Sequence, residues 1–288
     1  MSRIAYVNGR YLPQRHAAVN IEDRGYQFAD GIYEVIYVNG GRTIDAGLHL
    51  DRLERSMREL RLPAPMGRAA LETVLAEVAR RNRVRDGLIY MQVTRGVARR
   101  DHPFPNPAPR PALVVTARRL GAYPAAPDAW AVGAITAPDQ RWARCDIKTV
   151  GLTANVLARQ AAREAGAAEA ILVNDAGDVT EGAATSVWVV DATGTLRTRP
   201  LDHAILPGCT RGALIALLAA EGIRFEERGV TLEELRAARE IFLTSASSFV
   251  KPVVRLDGAK VADGVVGAVT RRLFDLFARH VKGDGRND

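Results

Sequence analysis

The alternation of apolar and polar residues predicts that the first part of the chain mixes strands and helices. Residues 4–12 contain two short β-rich runs separated by Asn8 and Gly9, a dipeptide that is a strong hairpin signal. Residues 32–38 form a run of mostly β-branched and aromatic residues, which favours a strand. The pattern then predicts helices over residues 48–60 and 69–81 and strands over residues 88–94 and 112–116.

The second part of the chain has the same mixed character. Residues 121–127 are mostly small, uncharged and proline-bearing, which is typical of a linker. Thr231 and Glu234 have the spacing of a helix capping box. The pattern predicts strands over residues 130–135, 170–173, 186–190 and 241–243, helices over residues 153–165, 210–221 and 265–281, and a hairpin over residues 253–261 that turns at Asp257 and Gly258.

The order of these elements predicts the fold class. Strands and helices mix without a strict βαβ rhythm and without internal repeats, which favours an α+β or irregular, mixed α/β protein over a doubly wound sheet. A chain of 288 residues is long enough for two modest domains. We therefore predict a smaller N-terminal α/β domain over residues 1–120, a linker over residues 121–127 and a larger C-terminal domain over residues 128–288.

Composition and charge exclude several classes of protein. No stretch approaches the roughly 18 apolar residues that span a bilayer, and the N-terminus lacks the apolar segment of a signal peptide. Two cysteines without metal-ligand spacing are typical of reduced thiols in a cytoplasmic protein. The net charge is +7, but the 40 basic residues are scattered among acidic and apolar ones. We therefore expect neither nucleic acid, membrane nor metal ion as a partner.

Lys148 is a candidate nucleophile. It stands among mostly uncharged residues just before a predicted helix, in a chain whose other lysines are only Lys251, Lys260 and Lys282. An amine must lose its proton to form a Schiff base, and burial or neighbouring positive charge lowers the lysine pKa enough for that. An ordinary surface lysine would have the same local sequence, so this pattern alone leaves both interpretations open.

Two clusters of small and hydroxyl-bearing residues are candidate phosphate sites. Residues 208–211 lie at a predicted helix start, where the glycine lets a ligand approach and the helix dipole favours an anion. Residues 244–248 offer further hydroxyl and N–H donors at the end of a strand. Each cluster could equally be a helix cap or a loop, but together with Lys148 they indicate a phosphorylated aldehyde cofactor.

Five motifs together resemble those of the fold-type IV enzymes that use pyridoxal 5'-phosphate (PLP). They lie at residues 22–34, 49–53, 144–148, 179–182 and 206–211, in the family's order and close to its spacing. Within that family, the segment at residues 95–105 is most similar to the D-amino-acid transaminases. The resemblance implies a homodimer in which each subunit binds the cofactor between a smaller N-terminal and a larger C-terminal domain.

The resemblance also implies a role for each site residue. Lys148 would form the Schiff base with the cofactor and then move the proton of the substrate α-carbon, while Glu181 would face the pyridine nitrogen. Tyr33, Arg100 and His102 would bind the substrate α-carboxylate, and the arginine and histidine would come from the neighbouring subunit. The implied cofactor-binding set consists of Arg52, Lys148, Glu181, Leu206, Cys209, Thr210, Ser245 and Ala246.

The implied activity is ping-pong transfer of the amino group of D-amino acids, such as D-alanine or D-glutamate, to 2-oxoglutarate or pyruvate. Two alternatives share the fold, namely a branched-chain L-amino-acid transaminase and an aminodeoxychorismate lyase. Arg100 and His102 favour the D-specific hypothesis, because they supply a carboxylate-binding pair where a D-substrate needs one. Ala183, Ala184 and Ala246 depart from the family, which often has hydroxyl-bearing residues there, and the effect of these changes on cofactor binding is open.

Overall fold

The protein is described by a computed structural model that covers residues 3–121 and 123–283. It groups into two compact units: unit 1 contains Met1–Ala122 and Ile147–Gly151, and unit 2 contains Tyr123–Asp146 and Leu152–Asp288. The predicted linker includes residue 122 and the predicted C-terminal domain includes residues 284–288, all of which lie outside the described residues. The division at the linker therefore stays a prediction.

Unit 1 is built on a six-stranded antiparallel sheet. Its strands are β1 (Ile4–Val7), β2 (Arg10–Pro13), β3 (Gly31–Asn39), β4 (Arg42–Thr43), β5 (Gly87–Thr94) and β6 (Ala112–Arg119). Their order across the sheet is β2-β1-β6-β5-β3-β4. Its α-helices are α1 (Arg24–Phe28), α2 (Ala46–Glu59) and α3 (Arg68–Arg81), and a short 3-10 helix covers Gln14–His16.

The local sequence explains why these elements form. The predicted hairpin is confirmed, and both turn residues, Asn8 and Gly9, have positive φ angles of 47° and 94°. Along β3, alternate residues such as Ile32 and Ile36 are buried in one apolar core with Leu53 of α2. Because side chains alternate across a strand, the residues between them face the other side of the sheet.

Residues 147–151 are tied to the start of β3 in unit 1. Ile147 is buried in the core of this unit. The Tyr33 N–H donates to the Lys148 carbonyl at 3.0 Å, and the Val150 N–H donates to the carbonyl of the first β3 residue at 3.1 Å. These bonds explain why the segment groups with unit 1, whereas the sequence-based division assigned it to the C-terminal domain.

Unit 2 is built on a nine-stranded mixed sheet. Its strands are β7 (Val132–Pro138), β8 (Glu169–Val173), β9 (Val179–Gly182), β10 (Ser186–Val190), β11 (Leu196–Thr198), β12 (Glu226–Glu227), β13 (Glu240–Ser245), β14 (Phe249–Leu256) and β15 (Ala259–Lys260). The order is β12-β11-β10-β13-β14-β7-β8-β9, with β15 paired to β14. Its α-helices are α4 (Thr153–Glu164), α5 (Cys209–Ala220), α6 (Leu232–Arg236) and α7 (Ala268–Lys282).

Most elements predicted for unit 2 are confirmed. Thr231 and Glu234 form both hydrogen bonds of the capping box that opens α6. The strand predicted to begin at residue 130 begins at Val132 instead, because Pro127–Trp130 form a 3-10 helix. We did not predict strands β9 and β11, which are only four and three residues long and owe their conformation to pairing with neighbours.

The predicted fold class is confirmed by this architecture. One unit carries an antiparallel sheet and the other a mixed sheet in which β7 pairs in parallel with both β8 and β14. Helices accompany both sheets without a regular βαβ order. None of the helices within the described ranges has the length and apolar character that crossing a membrane requires.

Candidate active site

Lys148 lies beside Tyr33 in unit 1. Its Nζ atom is 4.2 Å from the centroid of the Tyr33 ring, within the range of a cation–π contact. Tyr33 stacks on Tyr90 with 5.7 Å between ring centroids, and the Tyr90 hydroxyl donates to Gln92 Oε1 at 2.7 Å. Burial, with a smaller contribution from Tyr33, raises the pKa of Tyr90 to about 12. The lysine amine therefore faces the Tyr33 ring. The Tyr90 ring stacked on it keeps its hydroxyl proton at neutral pH.

A second half-buried lysine, Lys251, lies in β14 of unit 2. Burial and the charge of Arg159 lower the pKa of Lys251, while Glu169 raises it, and the net direction is downward. Its Nζ atom is 5.5 Å from the centroid of the Trp130 ring. A lowered pKa is one mark of a nucleophilic lysine, which makes Lys251 the natural control for Lys148.

Arg52 belongs to a buried charged cluster around Glu34. Its Nε and Nη2 atoms donate to the two Glu34 carboxylate oxygens at 2.7 and 2.8 Å, and His49 Nδ1 lies 2.7 Å from Oε2. Burial raises the pKa of the Glu34 carboxyl, but the charge and hydrogen bonds of Arg52 and the bond from His49 outweigh it and hold this pKa at about 2. The Glu34 carboxylate therefore holds the Arg52 guanidinium in one orientation.

Arg100 and His102 come together around Phe28 on unit 1. Both lie in the proline-rich loop over residues 96–111, which we call the substrate loop, and both are exposed. The Arg100 guanidinium carbon is 5.0 Å from the centroid of the Phe28 ring, and the His102 ring centroid is 5.5 Å from it. Of the predicted carboxylate-binding residues, Arg100 and His102 thus both contact Phe28, while Tyr33 contacts Lys148.

Glu181 is buried in β9 of unit 2. Arg141 donates to its Oε1 atom, and the Leu206 N–H donates to Oε2 at 3.1 Å. Arg141 also donates to the two oxygens of Asp139 at 2.9 and 2.7 Å. Burial lowers the pKa of Arg141, but the hydrogen bonds to Asp139 and the charge of Glu181 outweigh it and raise this pKa. The Glu181 carboxylate is therefore held between a permanently charged guanidinium and a backbone donor.

The N-terminus of α5 has the features of an anion site. Gly208 precedes the helix without any side-chain cap, and the N–H groups of a first helical turn have no carbonyl partner within the helix. Cys209 and Thr210, in that turn, are buried. A Cβ atom at Gly208 would lie 2.7 Å from Ser186 Oγ, so glycine permits the close approach of this turn to β10.

Ser245 and Ala246 lie at the same end of the unit 2 sheet. Ser186 of β10 pairs with Thr244 of β13, so the start of β10 and the end of β13 are adjacent, beside the N-terminus of α5. Ser245 Oγ lies 2.8 Å from Ser248 Oγ. The structure therefore brings together the predicted phosphate donors of unit 2, namely Cys209, Thr210, Ser245 and Ala246.

The two alanines that follow Glu181 differ in their surroundings. Ala183 is buried, and its carbonyl accepts a hydrogen bond from Asn155 Nδ2 at 2.7 Å. Ala184 is exposed in the turn between β9 and β10. A hydroxyl at residue 183 would therefore be enclosed by protein, whereas one at residue 184 would be solvated.

Sequence reasoning assigned no role to three buried residues that organise this site: Arg24, Glu34 and Arg141. Glu34 had a signal, because it is an acidic residue at a buried position of an apolar strand. Arg24 lies within the motif at residues 22–34, but the contacts of neither arginine could be read locally. Arg141 contacts Glu181 across 40 residues of sequence, and Arg24 contacts the substrate loop across 77 and 78.

Comparison with known proteins identifies the family. Residues 31–256 match the family described as Amino-transferase class IV. The chain is 38% identical over 277 residues to a D-alanine aminotransferase of Staphylococcus haemolyticus, a match that covers 96% of this chain and 97% of the relative. It is 40% identical over 268 residues to a D-alanine aminotransferase of Bacillus licheniformis, covering 92% and 93%. These relatives confirm the resemblance drawn from the motifs.

Solved structures agree with this assignment. The branched-chain amino acid aminotransferase of Escherichia coli matches the fold with a TM-score of 0.90 at 24% identity, covering 100% of this chain and 97% of that one. The branched-chain amino acid aminotransferase of T.th., solved with pyridoxamine 5'-phosphate, matches with a TM-score of 0.88 at 26% identity, covering 98% and 95%. The chain therefore belongs to the class IV aminotransferases.

Proposed function

We propose that this protein is a PLP-dependent transaminase that moves the amino group of D-amino acids, of the D-alanine or D-glutamate type, to a 2-oxo acid such as 2-oxoglutarate or pyruvate. The observation that carries the proposal is the 38% and 40% identity to two D-alanine aminotransferases over at least 92% of the chain. The branched-chain enzymes among the solved structures share less sequence with it, 24% and 26%.

The chemistry of the donor set fits PLP. A half-buried lysine, a buried carboxylate and a helix N-terminus with buried hydroxyl and thiol side chains match the aldehyde, ring nitrogen and phosphate of that cofactor. When bound, PLP supplies an aldehyde for Schiff-base formation and a ring that accepts the electrons of the substrate α-carbon. The residues that would hold it are Arg52, Lys148, Glu181, Leu206, Cys209, Thr210, Ser245 and Ala246.

Two of these residues carry the chemistry in our proposal. The Lys148 amine binds the cofactor and afterwards takes and returns the proton at the substrate α-carbon. The Glu181 carboxylate would accept a hydrogen bond from the ring nitrogen of the cofactor and so keep a proton there. Arg141 orients that carboxylate, because it donates to the Oε1 atom and leaves the side chain few alternative rotamers.

We further propose that the active protein is a homodimer in which Arg100 and His102 complete the neighbouring subunit's carboxylate-binding trio with Tyr33. Exposed apolar side chains far from the substrate loop in sequence lie close to it in the structure, which supports an interface there. Ile21 and Tyr26 are 78% and 77% exposed, and residue 22 accepts a backbone hydrogen bond from Ala98 of the loop. Burying such side chains favours association.

A cytoplasmic location is also proposed. It is supported by the cysteine chemistry of the chain, since Cys145 and Cys209 are both buried and no disulfide joins them. Burial raises the pKa of Cys145 to about 11, although Arg141 opposes this effect, so the thiol stays protonated and unreactive at neutral pH.

A steady-state comparison of D-alanine and L-leucine, each with 2-oxoglutarate, tests the function. We expect kcat/KM for D-alanine to exceed that for L-leucine by at least about tenfold, a difference of about 1.4 kcal/mol in transition-state binding. A preference for L-leucine would favour the branched-chain alternative. Release of pyruvate from aminodeoxychorismate without a 2-oxo acid would favour the lyase.

A further inference from the structure

The helix α1 contacts both substrate-loop side chains that we assign to carboxylate binding. We propose that Phe28 and Arg24 are positioning residues that preorganise Arg100 and His102 for the substrate α-carboxylate. This inference rests on the proposed function, because it requires that Arg100 and His102 bind that carboxylate.

Phe28 is the common contact of the Arg24, Arg100 and His102 side chains. Its half-buried ring lies 4.7 Å from the guanidinium carbon of Arg24 and 5.0 Å from that of Arg100, and the His102 ring is 5.5 Å away between centroids. An aromatic face attracts a guanidinium and restricts where it can lie. The exposed Arg100 side chain, which would otherwise sample many rotamers, is therefore held at the ring that His102 also contacts.

Arg24 fixes the main chain of the same segment. Its side chain is only 4% exposed, and its Nη1 and Nη2 atoms donate to the carbonyls of Asp101 and His102 at 2.6 and 3.2 Å. These two carbonyls belong to the residues that directly follow Arg100. Arg24 thus sets the backbone from which both binding side chains project.

Arg24 is itself held in place by the Asp30 carboxylate, which it shares with Arg95. Asp30 accepts from Arg24 Nε at 2.8 Å and from Arg95 at 2.7 and 2.9 Å. Arg95 also donates to the carbonyls of Leu60 and Arg61 at 2.8 and 3.0 Å, at the end of α2. Burial raises the pKa of Asp30, but the bonds from the two arginines outweigh it and lower this pKa, so the cluster stays charged at neutral pH.

Preorganisation predicts a specific kinetic effect. A flexible arginine loses side-chain entropy when it binds a carboxylate, and a side chain already held by an aromatic face loses less. Removing the aromatic ring of Phe28 should therefore weaken substrate binding by roughly three- to tenfold, in line with the strength of a partly desolvated cation–π contact. Cofactor binding should not change, because none of these residues belongs to the proposed cofactor set.

The test compares Phe28→Leu and Phe28→Tyr in the PLP-loaded protein. Tyr11→Leu is the matched control, because Tyr11 is also a half-buried aromatic residue of unit 1 with an arginine over its ring, Arg81 at 4.2 Å. We expect Phe28→Leu to raise KM for D-alanine roughly three- to tenfold with a smaller fall in kcat. Phe28→Tyr should restore KM, and Tyr11→Leu should leave it unchanged.

Two further measurements separate positioning from general damage. The PLP dissociation constant should stay the same in Phe28→Leu, and the affinity for D-lactate, which has the carboxylate but no amino group, should fall by the same factor as KM rises. Arg24→Met should have a larger effect on both KM and D-lactate affinity, while Arg24→Lys, which can still donate to one carbonyl, should have a smaller one.

The possible failures are distinguishable. If wild-type protein does not transaminate D-alanine, the proposed function is wrong. If it does, and Arg100→Ala raises KM while Phe28→Leu behaves like Tyr11→Leu, only the positioning role is wrong. Loss of PLP binding in Phe28→Leu, or no rescue by Phe28→Tyr, would also overturn that role.

Discussion

Buried arginines paired with carboxylates recur around the proposed ligand-binding residues of this chain. Arg24 binds Asp30, Arg52 binds Glu34 and Arg141 binds both Asp139 and Glu181. A buried charge without a partner is costly, so each pair is held tightly once the protein has folded. In each pair, one residue either belongs to the proposed ligand-binding set or contacts a residue of that set.

Glu34 tests this pairing through stability. We expect Glu34→Gln to lower the free energy of unfolding at pH 7 by roughly 3 kcal/mol, because Arg52 would remain buried without its counter-charge. The folded pKa of Glu34, about 2, lies below the ordinary value of 4.5, so its contribution is fully present above pH 4.5 and is lost as the pH falls through about 2. Urea unfolding of the wild-type and Glu34→Gln proteins at pH 7 and pH 3 measures the difference in their free energies of unfolding at each pH.

The control for Glu34 is Glu72→Gln, which removes an exposed carboxylate of α3. It should change stability by no more than about 0.5 kcal/mol. If the deficit of Glu34→Gln were as large at pH 3 as at pH 7, its cause would be packing rather than the charge of the carboxylate.

Lys148 and Lys251 offer a second residue-scale test. Lys148→Ala should abolish the visible absorption band of the bound cofactor and reduce turnover by several orders of magnitude, because both covalent binding and proton transfer are lost. Lys251→Ala should keep the band and most of the turnover, although burial lowers the pKa of Lys251. The opposite pattern would move the Schiff base to Lys251.

At the scale of elements, the phosphate donors depend on where one helix begins. α5 starts at Cys209, directly after Gly208, and a larger residue in place of that glycine would meet Ser186 Oγ. The same turn lies beside the end of β13, because β10 and β13 pair through Ser186 and Thr244. A helix start displaced by one residue would turn Thr210 away from this end of the sheet, since successive residues differ by about 100° around the axis.

Thr210 provides the prediction at this scale. Thr210→Val keeps the shape of the side chain but removes a hydroxyl that we expect to donate to the cofactor phosphate. PLP affinity should fall about ten- to a hundredfold, the usual cost of a hydrogen bond to a charged group. Thr270→Val is the control, because Thr270 is also a buried threonine in the first turn of a helix, α7. Equal PLP affinities in the two variants would exclude Thr210 from the phosphate site.

At the scale of the whole molecule, the proposed site needs two copies of the chain. Arg100 and His102 contact Phe28 within their own unit, and Lys148 contacts Tyr33. The proposed dimer would let one copy supply the loop and the other the lysine. The exposed Ile21 and Tyr26 near the loop would then be the apolar surface that association removes from water.

Mixed dimers test this arrangement directly. We expect Lys148→Ala and Arg100→Ala proteins each to be impaired, but a dimer with one copy of each should contain one site with both residues intact. Unfolding and refolding an equal mixture should restore roughly a quarter of wild-type kcat/KM at low substrate, since half of the random dimers are mixed and each has one intact site. No gain over Arg100→Ala alone would mean that the arginine acts on the lysine of its own chain.

The sequence by itself determined the elements and the chemistry carried by local patterns. The Asn8–Gly9 hairpin, the capping box of Thr231 and Glu234, and the helix that begins near Thr210 depend on residues within a few positions of each other. Such signals can be read along the chain because hydrogen bonding and side-chain periodicity act over short separations. The motifs that identify the family are local in the same sense.

Only the tertiary structure decided which distant residues support the site. Glu34 meets Arg52 because β3 packs on α2, Arg141 meets Glu181 across 40 residues, and Arg24 reaches carbonyls 77 and 78 residues away. Strands such as β9 exist because a neighbouring strand pairs with them. These contacts follow from strand register and helix packing, which join segments far apart in sequence, so no local pattern contains them.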